Sequence, residues 1–242
     1  MGTESFINWL RITNLFWIHI WWNLMSVNDD LKEHTKKGTT TVGIKCSDGI
    51  VLAADKRATL GGRIISNKTV EKVYPIADNI AVTMAGVVSD AQLISKLITA
   101  ELRLKKYRTG KDANVTETSS MLGSIVYQNI RRMSPIMGIT GFLLGGADKD
   151  GFHLFDIGVD GSVLEHDDYV TDGSGFMMAF GVLDTLHKKD MKVNDAVKLA
   201  VKAINAAMQR DTATGEGIDV YTITKQGVKK VFAEKLNTKI TC

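Results

Sequence analysis

The hydroxyl-rich run Gly38-Thr39-Thr40-Thr41-Val42-Gly43 could do nucleophilic chemistry only with help. A threonine hydroxyl is a poor nucleophile unless a base lies beside it. Taken alone, three threonines opening an edge strand are good β-formers and need no other purpose. Gly173-Ser174-Gly175 taken alone reads as the start of a helix with a serine cap. Asp55 and Lys72 taken alone read as an ordinary strand-end salt bridge, worth little when exposed. The five histidines, His19, His34, His153, His166 and His187, are scattered, and none sits beside a candidate Ser or Cys with a matching acid. A serine or cysteine triad is poorly supported. The two cysteines, Cys46 and Cys242, read as free thiols of a reducing cytosol, and no Cys/His cluster has metal-ligand spacing.

The chain that must position these groups has 242 residues, enough for one large domain with its own core. Its 44% apolar and 24% charged residues are ordinary for a globular protein. Two prolines against 22 glycines argue against linkers and for tight turns. The net charge of +3, with no basic stripe interleaved with aromatics, gives no sign of a nucleic-acid partner.

Residues 1–24 differ from the rest. They hold all four tryptophans, Trp9, Trp17, Trp21 and Trp22, and only two charges, Glu4 and Arg11. The apolar run Leu15 to Trp22 is far short of the ~20 residues of a spanning helix. With no basic segment before it and no small-residue cleavage site after it, it makes an unconvincing secretory signal. An interfacial aromatic anchor is one reading of it. The preferred one is that Met25 is the true start and residues 1–24 are a gene-model extension. A native product containing Trp9 would refute this. From Met25 the chain reads MSVNDDLKEHTKKG, a short charged leader directly before Thr39.

Beyond the leader, β-branched and apolar runs at Thr40 to Lys45 and Gly49 to Asp55 flank an Asp48-Gly49 turn, the signal for a hairpin. Strands follow at Arg63 to Ser66, Lys72 to Ile76 and Ile80 to Ala85. A helix capped near Ser89-Asp90 then carries Leu93, Ile94, Leu97, Ile98 and Leu102 inward and ends near Gly110. A second helix runs from about Val115 to Met133. Strands return at Gly138 to Gly146, Phe152 to Ile157, Ser162 to Glu165 and Tyr169 to Thr171. Helices follow from about Gly175 to Lys188 and along the 3.6-residue stripe Val193, Ala196, Val197, Ala200, Val201, Ile204, Ala207 and Met208. The chain closes with strands at Asp219 to Thr224 and Val228 to Ala233. Segregated groups of strands and helices imply an α+β fold, two packed sheets with a helix pair on each outer face.

Several motifs fall in order along this frame: Gly38-Thr39-Thr40-Thr41-Val42-Gly43, Asp48-Gly49-Ile50-Val51-Leu52-Ala53-Ala54-Asp55-Lys56-Arg57-Ala58-Thr59, Ala85-Gly86, Asp90-Ala91-Gln92, Gly173-Ser174-Gly175 and Gln209-Arg210-Asp211-Thr212-Ala213-Thr214-Gly215. Together they resemble the β-subunits of the 20S proteasome, the archaeal type most closely, over Thr39 to roughly Glu234. The resemblance implies a four-layer αββα sandwich of the N-terminal-nucleophile hydrolase type, with residues 1–38 a leader and 39–242 the catalytic domain. Thr39 would be the nucleophile once the Gly38–Thr39 bond is cut, and its new α-amino group the base. That group's reference pKa of about 7.7–8.0 leaves an appreciable neutral fraction near pH 7. Gly38 would supply the backbone freedom that self-attack needs.

By the same resemblance Lys72 lies beside the nucleophile, held by Asp55. Between Thr59 and Lys72 the chain holds one extra residue, near Gly61-Gly62, which makes Lys68 a rival. Gly86 would offer its N–H to the oxyanion. Ser174, Asp211 and Thr214 would surround the amine, with threonine at 214 where the family usually has serine. Phe176 stands where the family often has a small polar residue. Ala58, Val70, Met84 and Val88 would line the pocket for the residue before the cut and favour bulky hydrophobic ones, Met84 reading equally as core.

The implied reaction is hydrolysis of peptide bonds in unfolded polypeptide through an acyl ester on Thr39, with no cofactor and no metal. The implied partners are proteasome α-subunits, other β-subunits in stacked seven-membered rings and an ATP-dependent unfoldase. The implied location is the cytoplasm, with no membrane partner. The alternatives are a non-catalytic structural β-ring subunit, another N-terminal-nucleophile amidohydrolase, or a membrane-tethered protein that uses residues 1–24.

Overall fold

A computed structural model describes residues 38–60, 64–134 and 137–236. The expected leader, as far as residue 37, and Cys242 lie outside them. The elements run β1 (Thr40–Cys46), β2 (Gly49–Asp55), β3 (Ala58–Leu60), β4 (Ile64–Asn67), β5 (Val73–Ala77), β6 (Ile80–Thr83), β7 (Ala85–Gly86), α1 (Val88–Thr109), α2 (Val115–Arg131), β8 (Thr140–Asp148), β9 (Gly151–Ile157), β10 (Val163–His166), β11 (Tyr169–Gly173), α3 (Phe176–Leu186), α4 (Val193–Met208), β12 (Gly217–Thr224) and β13 (Gly227–Lys235).

Two antiparallel sheets form the centre. One has the order β11-β1-β2-β12-β13; the other has the order β10-β9-β8-β6-β5, with β7 also pairing with β8. The period-2 alternation of β2 shows why they stack. Ile50, Leu52 and Ala54 face the second sheet and meet its Ala81, Leu143 and Leu154, while Val51 and Ala53 face the other way onto Ala196, Ala200 and Ile204 of α4. In the second sheet Val82, Phe142 and Leu144 face outward onto Ile94 and Ile98 of α1 and Leu122 and Val126 of α2. Each helix pair covers one outer face, so the layers read αββα. The expected α+β sandwich is the observed fold. Pro75 sits on β5, an edge strand, where a missing N–H disrupts no inner ladder.

Three local expectations are corrected. Helix α1 begins at Val88, before the expected Ser89-Asp90 cap, and its N-cap Val87 makes no side-chain cap bond. The reason is the preceding strand: the Val87 N–H donates to Ile139 O, so the chain enters the helix straight from the sheet. Leu93 and Leu97 are about half exposed, at 50% and 46%, because α1 rests on the sheet through Ala91, Ile94, Ser95, Ile98 and Leu102. Ser174 does not cap α3; the N-cap is Gly175 and the Ser174 hydroxyl is used elsewhere. The sequence reading also missed β3, which pairs with β4 as a separate hairpin.

The registers place the functional candidates. Thr40 pairs with Gly173, Thr41 with Ala54, and Ile218 with Asp55. The start of β1, the end of β2, the end of β11 and the start of β12 therefore share one end of the sandwich. In the second sheet the end of β6 and Gly86 on β7, which pairs with Thr140 at the start of β8, complete that end.

Candidate active site

Thr39 precedes β1 and is 5% exposed. Its hydroxyl donates to Gly38 O at 2.5 Å, and its backbone N–H donates to Ser174 Oγ at 3.3 Å. Gly38 has no space for a side chain: a Cβ there would lie 1.9 Å from the Cβ of Ala213.

Lys72, just before β5, is buried at 3% exposure. Its Nζ donates to Asp55 Oδ1 at 2.7 Å and to Gly38 O at 3.3 Å. Burial pushes the Lys72 pKa below the usual lysine value. The Asp55 carboxylate and, more weakly, Asp211 oppose that shift, while the Arg57 charge adds to it. Lys68, the rival, is 57% exposed at its side chain, and its Nζ lies 3.6 Å from Glu216 Oε2. Lys72 is thus the lysine beside Thr39.

Asp55 ties the site together. Oδ1 accepts from Thr40 N at 3.0 Å as well as from Lys72, and Oδ2 accepts from Arg57 N at 2.9 Å and Gly215 N at 3.0 Å. A buried carboxylate with this many donors is a fixed anion, which suits it to holding an ammonium in one place. A second polar chain approaches from the loop after α4. Asp211 Oδ2 accepts from Ser174 Oγ and Thr214 Oγ1, both at 2.5 Å, and Thr214 Oγ1 lies 2.7 Å from Thr40 Oγ1. The threonine at 214 therefore keeps its bond to Asp211, and its second partner is the Thr40 hydroxyl. Sequence reasoning gave Thr40 no role.

A cleft of about 300 Å³ opens beside Thr39 and Gly86, and Ala58, Val70, Met84 and Val88 all line it. Thr59, Leu60 and Ser66 of the β3–β4 hairpin also line it and went unforeseen. Gly86 has φ +139, and a Cβ on it would sit 2.5 Å from Ile139 O, so both conformation and space require glycine. Phe176 is 41% exposed at the start of α3 and meets Phe180 edge-on. Elsewhere Cys46 is buried, and burial, helped by Asp48, pushes its thiol up to about 12, which makes it inert. No helix among the described residues is long and apolar enough to cross a membrane.

The sequence profile of the family described as "Proteasome subunit" matches residues 35–223. The chain belongs to the proteasome subunit family. Among proteins named "Proteasome subunit beta", one from Methanocaldococcus vulcanius is 42% identical over 203 residues, covering 84% of this chain and 89% of its own length. One from Archaeoglobus profundus is 41% identical over 208 residues, covering 86% and 94%, and one from Nanoarchaeum equitans is 39% identical over 197 residues, covering 81% and 98%. The proteasome subunit profile thus covers the strands from β1 to β12 and the polar cluster at their end, and stops short of the edge strand β13.

Proposed function

We propose that this proteasome subunit is a threonine endopeptidase that first cuts its own Gly38–Thr39 bond and then hydrolyses unfolded polypeptide. The observation that carries the reading is the convergence on Thr39 of two polar chains, the buried pair Lys72–Asp55 and the more exposed pair Ser174–Asp211.

In self-cleavage Thr39 Oγ attacks the Gly38 carbonyl carbon and closes a five-membered ring. The carbonyl oxygen becomes an oxyanion, and Lys72 Nζ, already 3.3 Å away, stabilises it. The C–N bond then breaks, the hydroxyl proton ends on the departing nitrogen, and water hydrolyses the resulting ester to free the leader. Thr39 now carries an α-amino group beside Ser174 and Asp211. That amine takes the Oγ proton when Oγ attacks a substrate carbonyl, and passes it to the leaving amine. The Gly86 N–H faces the oxyanion, and water then clears the acyl ester. The Lys72 ammonium disfavours protonation of the neighbouring amine.

The apolar cleft selects bulky hydrophobic residues before the cut, Met84 adapting its shape to several. No cofactor takes part. The subunit works in stacked seven-membered β rings capped by α-subunit rings, in the cytoplasm, fed by an ATP-dependent unfoldase. The test is hydrolysis of peptides with a hydrophobic residue before the cut, by the particle co-assembled with its α-subunits. Thr39→Ala is the control. Equal rates from both proteins would refute the reading.

A further inference from the structure

Glu216 has an unusual backbone for a residue with a side chain. Its φ is +66, in the left-handed region, yet it is 5% exposed and carries a charge. A glycine would hold that conformation without strain. The carboxylate is what a glycine would lack. Its Oε1 accepts from Arg57 Nη2 at 3.0 Å, and its Oε2 lies 3.6 Å from Lys68 Nζ.

Arg57 reaches the same loop a second time, through Nη1 to Thr212 O at 2.7 Å. Its guanidinium lies so close over Gly215 that a Cβ there would sit 2.5 Å from Nη2. The backbones are tied as well: Lys56 N donates to Gly215 O at 3.1 Å, and Arg57 N and Gly215 N share Asp55 Oδ2. The segment so held carries Asp211 and Thr214. Lys68 anchors the stretch that leads to Lys72, whose Val70 N–H donates to Lys56 O.

We propose that Glu216 is a positioning residue: acting through Arg57 and Lys68, it holds the Asp211–Gly215 loop and the segment leading to Lys72 in register with Thr39. It is not a catalytic residue, since neither it nor Arg57 lines the cleft beside Thr39. Removing the carboxylate leaves two cations facing each other with no anion between them, and the loop moves away from Thr39. The inference rests on the reading of Thr39 as nucleophile, but its geometric part does not.

The test uses Glu216→Gln, which keeps the shape and loses the charge, and Glu216→Gly, which eases the backbone and loses the side chain. Each is co-assembled with α-subunits, and rates are divided by the fraction of chains whose mass begins at Thr39. Both variants should lower kcat per processed site by about ten- to a hundredfold with KM within about twofold, because misplacing reacting groups costs rate rather than ground-state binding. Glu216→Gly should do so without a lower melting temperature, and in both variants the backbone amides of 211–215 should exchange with solvent faster. A kcat per processed site within about twofold of wild type, or activity lost only in step with melting temperature, overturns the proposal. If the wild type itself keeps its leader and is inactive, the peptidase reading fails. Amide exchange then decides the positioning role alone: faster exchange supports it and unchanged exchange overturns it.

Discussion

Lys72 Nζ lies 3.3 Å from the carbonyl oxygen of Gly38, the atom that must carry negative charge if Thr39 attacks. The Thr39 hydroxyl touches the same oxygen at 2.5 Å. Lys72→Ala removes the ammonium and leaves the buried Asp55 carboxylate without its cation. The variant should keep its leader, and peptide hydrolysis should fall by at least about a hundredfold, the usual loss for one oxyanion donor. A processed, active Lys72→Ala particle, read by mass and peptide assay, would move the role elsewhere.

The pH profile carries the sign of the Lys72 shift. Burial lowers its pKa, so the ammonium is lost at a lower pH than for an ordinary lysine. On the proposed mechanism the acid limb should come from the Thr39 amine, which must be neutral to act as base. Its reference pKa is about 7.7–8.0, and the Lys72 charge pushes it down. The expected profile of kcat/KM is a bell whose alkaline limb falls below the lysine reference of about 10.4. A rate that climbs without limit to pH 11 would exclude a required ammonium.

Gly38→Ala separates self-cleavage from the later reaction. The new Cβ would collide with Ala213, whose loop holds Asp211 and Thr214. Processing should slow markedly. Every chain that does process should be as active as wild type, because residue 38 leaves with the leader. Mass analysis over time and activity per processed chain check both halves. Processing at the wild-type rate would show that the close packing is unimportant.

Met84 belongs to two places at once. It packs with Ile94 and Phe142 in the core under α1 and also lines the cleft. Met84→Ala should cost about 2–5 kcal/mol of stability, the usual range for a buried methionine. It should also shift preference toward larger aromatic residues before the cut, by about tenfold in the ratio of kcat/KM values. An unchanged ratio in a peptide series would place Met84 in the core alone.

Much of the fold was legible because burial imposes period. The α4 stripe satisfies one geometry and no other, whereas β2, buried on both faces, carries no period and was legible from its apolar run beside the Asp48-Gly49 turn. The face of α1 was misread because Leu93 and Leu97 are large, whereas the side that packs includes small Ala91 and Ser95. Thr39, Asp55 and Gly86 were legible from motifs at strand ends. Lys72 was harder, because spacing across Gly61-Gly62 admits two registers; the contacts of Lys72 with Asp55 and Gly38, and of the exposed Lys68 with Glu216, distinguish them. The pairing of Glu216 with Arg57 went unseen for a different reason. They lie far apart in sequence, and only the docking of the β12 start against the β2 end brings their charges together.

The central claim is tested most directly by the intact mass of the chain after co-expression with its α-subunits, beside a Thr39→Ala control. The account predicts that the wild type begins at Thr39 and that the control retains its leader. A wild type that keeps Gly38, or a control that loses it, would contradict self-cleavage by Thr39.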